Sequence, residues 1–89
     1  MQRNSDKFMK VLGEIIQSHR NELQKSIYAI SAESALSKST WREIELGICQ
    51  DVKLKSLWKI SEGLNISAGD LLNELAEKLG PNFNISDLD

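Results

Sequence analysis

The stretch that decides the fold runs from residue 35 to residue 47 and reads Ala35-Leu36-Ser37-Lys38-Ser39-Thr40-Trp41-Arg42-Glu43-Ile44-Glu45-Leu46-Gly47. Ser37 is a favourable N-cap and Gly47 a favourable terminator, so the stretch predicts one helix of about three turns. Trp41 and Ile44 are three positions apart and can both face a core. The outer side then holds Lys38, Ser39, Arg42 and Glu43. A short helix that is anchored from behind and polar in front is what a DNA major groove accepts.

The sequence around this stretch predicts four more helices and no strand. Apolar residues recur at helical spacing, serines precede several of these segments, and Gly80-Pro81 is a strong stop signal. The same pattern places both Trp41 and Trp58 in the core. The predicted fold class is all-α, with five short helices at about residues 5–22, 27–34, 38–46, 53–63 and 68–79.

Composition indicates one small domain. Of the 89 residues, 40% are hydrophobic and 27% charged, as in globular chains. We assign residues 1–80 to the domain and residues 81–89 to an acidic tail, frayed or packed as an arm. The single cysteine excludes an internal disulfide and suits a reducing cytoplasm. No apolar run reaches the length of a membrane span, so we expect a cytoplasmic protein without membrane contact.

Charge is distributed unevenly, although the net charge is only −2. Residues 1–60 hold ten Lys or Arg and seven Asp or Glu, a balance of +3, whereas residues 61–89 hold one Lys and six acids, a balance of −5. The cations therefore lie where a contact face with an acidic partner would be.

The sequence shows no group of residues suited to catalysis, metal binding or cofactor binding. His19 is the only histidine and Cys49 the only cysteine, too few for a metal site or a nucleophile–base pair. There is no glycine-rich phosphate loop. We therefore expect no enzyme, no catalytic or metal site and no small-molecule cofactor.

Four segments in order resemble the lambda-repressor-like (Cro/cI, XRE-type) helix-turn-helix family. They are Leu12-Gly13-Glu14-Ile15-Ile16 with Arg20, the pair of helices from Ser26 to Thr40, the helix end Ile44-Glu45-Leu46-Gly47, and the run from Leu54 to Leu72. The resemblance covers about residues 11–73. It implies a five-helix DNA-binding domain and a transcription regulator whose partner is double-stranded DNA.

The resemblance also implies which side chains meet DNA. Base readout falls to the start and outer side of the third helix, namely Lys38, Ser39, Thr40, Arg42 and Glu43. Phosphate contact falls to Arg20, Ser26, Ser37, Gln50 and Lys53. Arg20 and Glu45 occupy positions that form an internal ion pair in the family.

Several residues depart from the family pattern. Ala35 stands at the turn, and Gln24 in the connection before the second helix, where glycine is usual. Ile27 replaces a glutamine that many relatives use to contact DNA, and His19 replaces an aliphatic core residue. These departures leave open a second class of function, a protein-interaction module that has kept the fold and lost DNA binding.

A homodimer on an inverted-repeat operator is the expected form. We expect the first four helices to enclose the core and the fifth helix, with the tail, to build the interface, because its leucines spread over more than one face. The predicted interface consists of Leu71, Leu72, Leu75, Leu79 and Phe83. Phage repressors, restriction–modification controllers and antitoxins all use this size, and the sequence does not choose among them.

Overall fold

The computed structural model describes residues 3–86. Its five α-helices are α1 (Asn4–Glu22), α2 (Ile27–Glu33), α3 (Lys38–Leu46), α4 (Leu54–Leu64) and α5 (Ala68–Leu79). No strand occurs among the described residues. The all-α, five-helix prediction is therefore confirmed, and every predicted boundary lies within one residue of the observed one.

Serine side chains start three of the helices. The hydroxyls of Ser26, Ser37 and Ser67 each accept a hydrogen bond from the backbone N–H three residues later, at 3.1, 3.1 and 2.9 Å. Each bond satisfies a backbone donor that has no partner in the helix, which contributes about 1 kcal/mol. The cap predicted at Ser37 is confirmed, and Ser26 and Ser67 act in the same way at the starts of α2 and α5.

The end of α3 is fixed by a Schellman motif. Gly47 has φ 71°, and its N–H donates to the carbonyl of Ile44 at 3.1 Å, while the N–H of Ile48 donates to the carbonyl of Glu43 at 3.2 Å. Glycine adopts this left-handed conformation without steric cost. The backbone of Gly47 and Ile48 thus ends the helix after Leu46.

The turns on both sides of α2 pass through the left-handed region without glycine. Gln24 has φ 56° and Ala35 has φ 55°. These are two of the positions at which the chain departs from the glycine of the family. A residue with a Cβ atom in this conformation lowers the stability of the fold by roughly 1–2 kcal/mol. The two turns therefore reduce the stability of the domain.

The core lies between α1 and the other helices, and α5 belongs to it. Leu71 is 0% exposed and Leu75 is 2% exposed. The expectation that four helices enclose the core was wrong, because α5 packs along α1 and turns these two leucines, one helical turn apart, inward. The fully buried large side chains are Ile15, Ile16, Ile30, Trp41, Ile44, Ile60 and Leu71.

Trp58 lies at the surface, contrary to the prediction that it belongs to the core. Its exposed fraction is 58% and that of Leu54, one turn earlier, is 73%. The buried side of α4 is formed by Leu57, Ile60, Leu64 and the small residues Ser61 and Gly63. Leu54 and Trp58 therefore form a second apolar stripe on α4, outside the core.

The described part of the tail packs against the start of α1. The ring of Phe83 stacks on Phe8 with 6.4 Å between centroids, and the ammonium of Lys7 lies 5.9 Å from the Phe83 ring centroid. The side-chain amide of Asn4 donates to the carbonyl of Asn84 at 2.7 Å. The acidic residues of the predicted tail, Asp87 and Asp89, lie outside the described residues. The division of the chain at residue 80 stays a prediction.

Candidate nucleic-acid interface

The first turn of α3 is held by the hydroxyl of Ser37. Besides accepting from the backbone N–H of Thr40, this hydroxyl donates to the Thr40 hydroxyl at 2.7 Å. It also lies 3.4 Å from the Ser39 hydroxyl. Ser37 is thus engaged as a cap, and Thr40 is half-buried with its oxygen already accepting one hydrogen bond.

The outer side of α3 carries a cluster of exposed polar groups. Lys38, Ser39, Arg42 and Glu43 are all exposed. Within residues 3–86, no salt bridge involves the charged members of this group, so their charges are not neutralised by other side chains of the chain. A helix face with two cations and one carboxylate that have no salt-bridge partner, and with one small hydroxyl, can donate to and accept from an external polar surface.

The inner side of α3 is held by close contact with α1. A Cβ atom built on Gly13 would lie 2.5 Å from the carbonyl oxygens of both Ile44 and Glu45, so only glycine lets the two helices approach to this distance. A Cβ on Gly47 would lie 2.9 Å from the Cα of Lys10. Backbone contact of this kind fixes the position of α3 on the rest of the domain.

A buried polar cluster adds to this anchorage. Arg20 donates from Nε to Glu45 Oε2 at 2.6 Å and from a terminal nitrogen to Oε1 at 2.9 Å. The indole N–H of Trp41 donates to the same carboxylate at 2.5 Å. The side chains of Arg20 and Glu45 are 12% and 3% exposed. The ion pair implied by the family resemblance is therefore present, and it joins α1 to α3.

The carboxylate affects the ionisation of Arg20. Its hydrogen bonds and, to a smaller degree, its charge raise the pKa of the Arg20 guanidinium above the ordinary value, although burial acts in the opposite direction. The remaining terminal nitrogen donates to the carbonyl of Lys25 at 2.9 Å. Arg20 thus supports the turn before α2, and all three of its nitrogens have a partner within the chain.

The other predicted phosphate-contact residues lie at the surface. Ser26, Ser37, Gln50 and Lys53 are exposed. Ser26 and Ser37 cap α2 and α3, so the backbone N–H groups of these two helix starts point outward beside them. Gln50 and Lys53 belong to the segment between α3 and α4.

Two exposed side chains, one on α3 and one on α2, were not singled out from the sequence. Leu46, at the end of α3, is 59% exposed, and Tyr28 on α2 is 72% exposed. The helical periodicity of α3 could have revealed Leu46, because it lies three and four positions after Glu43 and Arg42.

Only some predicted interface residues are accessible to a partner. Leu71 and Leu75 are core residues of the single chain, so their assignment to a dimer interface was wrong. Leu79 is half-buried against the core, and Phe83 is engaged with Phe8. Leu72, at 42% exposure, is the predicted interface residue that stays open.

The remaining polar residues singled out in the sequence have local partners. His19 Nε2 and Glu74 Oε2 lie 2.7 Å apart and join α1 to α5. The thiol of Cys49 donates to the carbonyl of Asp51 at 2.8 Å. In the part of the chain that the structure describes, His, Cys, Asp and Glu side chains do not form a group suited to a metal ion. None of the helices there has the length and apolar character needed to cross a membrane.

Comparison with solved structures places this arrangement among known folds. The crystal structure of the clp gene regulator ClgR from C. glutamicum superposes with a TM-score of 0.73 over 84% of this chain and 96% of that chain, at 23% sequence identity. The chain has the fold of ClgR. No family model and no curated protein sequence matched the chain. The similarity to ClgR supports the predicted helix-turn-helix at the level of the fold.

Proposed function

We propose that this protein is a sequence-specific DNA-binding transcriptional regulator that inserts α3 into the major groove. The observation that carries the proposal is the exposed polar face of α3. The helix that presents it is fixed to α1 at Gly13 and by the Arg20–Glu45 pair. The fold shared with ClgR, which is named as a gene regulator, supports it. The overall negative charge does not oppose it, because the cations are concentrated in residues 1–60.

The chemistry of the outer face suits base edges. Lys38 and Arg42 can donate to the O6 and N7 acceptors of guanine, and Glu43 can accept from the amino group of cytosine. Ser39 is short and can serve either role. Thr40 is the weakest candidate for base contact, since it is half-buried and bonded to the cap.

Phosphate contacts would hold the domain on the duplex. Lys53 and Gln50 are exposed beside α3, and the helix starts at Ser26 and Ser37 present backbone N–H groups. Such donors fix position on the backbone without reading sequence. Arg20 would act indirectly, by holding the turn before α2, because its nitrogens are already bonded to Glu45 and Lys25.

The decisive experiment is selection of bound sequences from a random duplex pool, followed by affinity measurement with variants. On the selected sequence, Lys38→Ala and Arg42→Ala should each weaken binding by roughly 1–3 kcal/mol, with unchanged circular dichroism. Lys78→Ala is the matched control, since it removes one exposed positive charge from α5. Binding of the unaltered protein should weaken steeply as salt rises, because phosphate contacts release counterions.

Two results would contradict this proposal at different levels. If Lys38→Ala and Arg42→Ala both behave like Lys78→Ala, α3 does not read the bases. If no sequence is enriched and no salt-sensitive binding to random duplex occurs at low salt, the protein does not bind DNA, and the protein-interaction alternative takes its place.

We also propose that the protein acts as a homodimer on an inverted repeat. The accessible apolar side chains that support a self-interface are Leu72 of α5 and the stripe of Leu54 and Trp58 on α4. A two-fold arrangement would set two α3 helices about one DNA turn apart, roughly 34–36 Å.

The dimer is tested by sedimentation at micromolar concentration. We expect the unaltered protein to sediment as a dimer and Leu72→Glu or Trp58→Glu to give a folded monomer with much weaker operator binding. Lys78→Glu serves as a control for added negative charge on α5. A 10.0 kDa species for the unaltered protein would contradict a stable dimer in solution.

A further inference from the structure

Leu46 belongs to the same outward stripe of α3 as the polar readout candidates. Ser39, Arg42, Glu43 and Leu46 stand at positions i, i+3, i+4 and i+7, which lie on one face of a helix. All four are exposed. Leu46 is the apolar member of this stripe, with 59% of its surface exposed.

No requirement of the fold explains a leucine here. Leu46 lies outside the buried cluster and is absent from the half-buried side chains that pack against it. The helix end is made by backbone hydrogen bonds of Gly47 and Ile48, which need no particular side chain at position 46. Leu46 differs from the other exposed apolar side chains in its position, because it extends the stripe of polar readout candidates by one helical turn.

We infer that Leu46 contacts the C5-methyl group of a thymine in the operator. The inference rests on the proposed function and adds a specificity to it. The thymine methyl is the apolar group that the four unmodified bases present in the major groove, and apolar side chains recognise it by burying it. The polar members of the stripe recognise hydrogen-bonding groups, whereas Leu46 recognises this methyl.

The position of Leu46 along α3 locates that thymine. At about 1.5 Å rise per residue, Leu46 lies roughly 10 Å along the helix axis from Ser39. Successive base pairs are about 3.4 Å apart along the duplex. The thymine should therefore lie at a different base pair from the one contacted near Ser39, towards the end of the site that faces the C-terminus of α3.

The test uses the selected operator and replaces its thymines one at a time by uracil, which removes only the methyl group. At one position in each half-site, uracil should weaken binding of the unaltered protein about fourfold, the effect of leaving one methyl-sized apolar group unburied. Leu46→Ala should bind the thymine and uracil forms equally. Ile48→Ala is the matched control, since Ile48 is 66% exposed, similar in size, and outside α3; it should keep the fourfold difference.

The possible outcomes separate this inference from the proposed function. Loss of the uracil effect in Leu46→Ala alone supports the inference. Tolerance of uracil at every position, or an equal uracil effect in Leu46→Ala and the unaltered protein, overturns it while DNA binding stands. Failure of the unaltered protein to enrich any sequence overturns both the inference and the proposed function. If the unaltered protein is a dimer and Leu46→Ala is a monomer, Leu46 contacts a second chain instead of DNA.

Discussion

Replacing Trp41 by alanine should lower the free energy of unfolding by about 3–5 kcal/mol. Trp41 is fully buried, at 0% exposure, and its indole N–H donates to the buried carboxylate of Glu45. The substitution leaves a large cavity behind α3 and removes one of the hydrogen bonds of that carboxylate. Since small domains are stable by only about 5–15 kcal/mol, the variant should be close to unfolding.

Tyr28→Ala provides the control, because it removes an aromatic side chain from a site with 72% exposure that is not part of the proposed dimer interface. We expect a change within about 0.5 kcal/mol in the monomer, as for most surface substitutions. Urea denaturation followed by circular dichroism gives both values. Equal losses of unfolding free energy in the two variants would contradict the difference in burial between the two sites. If Trp41→Ala does not fold, Trp41→Phe, which keeps much of the side-chain volume, gives a measurable value.

Replacing Glu45 by alanine should cost about 3–5 kcal/mol, the usual effect of removing one member of a buried ion pair. The substitution leaves the guanidinium of Arg20 with the carbonyl of Lys25 as its remaining partner. It also leaves the indole N–H of Trp41 without an acceptor. The loss should be larger than the value of the ion pair itself, because a charge and a donor stay buried without compensation.

Glu43→Ala is the control for this prediction, because Glu43 is an exposed acid two positions earlier on α3. It should change stability by no more than about 0.5 kcal/mol. The double variant Arg20→Ala/Glu45→Ala should lose less than the sum of the two single variants, and the difference gives the coupling energy of the pair. Strict additivity of the two losses would show that Arg20 and Glu45 do not interact.

Features that depend on neighbours in sequence could be predicted. The caps at Ser26, Ser37 and Ser67 each involve a donor three residues away, and the end of α3 depends on the left-handed conformation of Gly47. For this reason the starts of α2, α3 and α5 and the end of α3 agree with the sequence prediction. The outward position of Lys38, Ser39, Arg42 and Glu43 follows from helical periodicity.

The exposure of Trp58 could not be predicted, because the buried side of α4 includes small residues. Ser61 and Gly63 are buried in place of larger apolar residues. Gly63 approaches so closely to α2 that a Cβ atom would lie 2.0 Å from the Ser34 hydroxyl oxygen. Apolar spacing gives weight to a tryptophan and none to a serine or a glycine, so it groups Trp58 with the buried residues of the helix.

Contacts between distant parts of the chain also could not be predicted from the sequence. The pairing of His19 with Glu74 and the stacking of Phe83 on Phe8 both depend on how α5 lies along α1. The same packing decides that Leu71 and Leu75 face the core whereas Leu72 faces outward. The periodicity of α5 shows that its leucines occupy two faces, but which face is inward follows only from the neighbouring helices.

The division of α3 into two sides has a consequence for how such proteins diverge. Trp41, Ile44 and Glu45 stabilise the domain, whereas Lys38, Arg42 and Glu43 have no salt-bridge partner within the described residues. Substitutions in the second group should therefore be nearly neutral for folding. The same fold can accept many combinations of residues at these positions. A few point mutations can therefore change what α3 contacts while every intermediate variant stays folded.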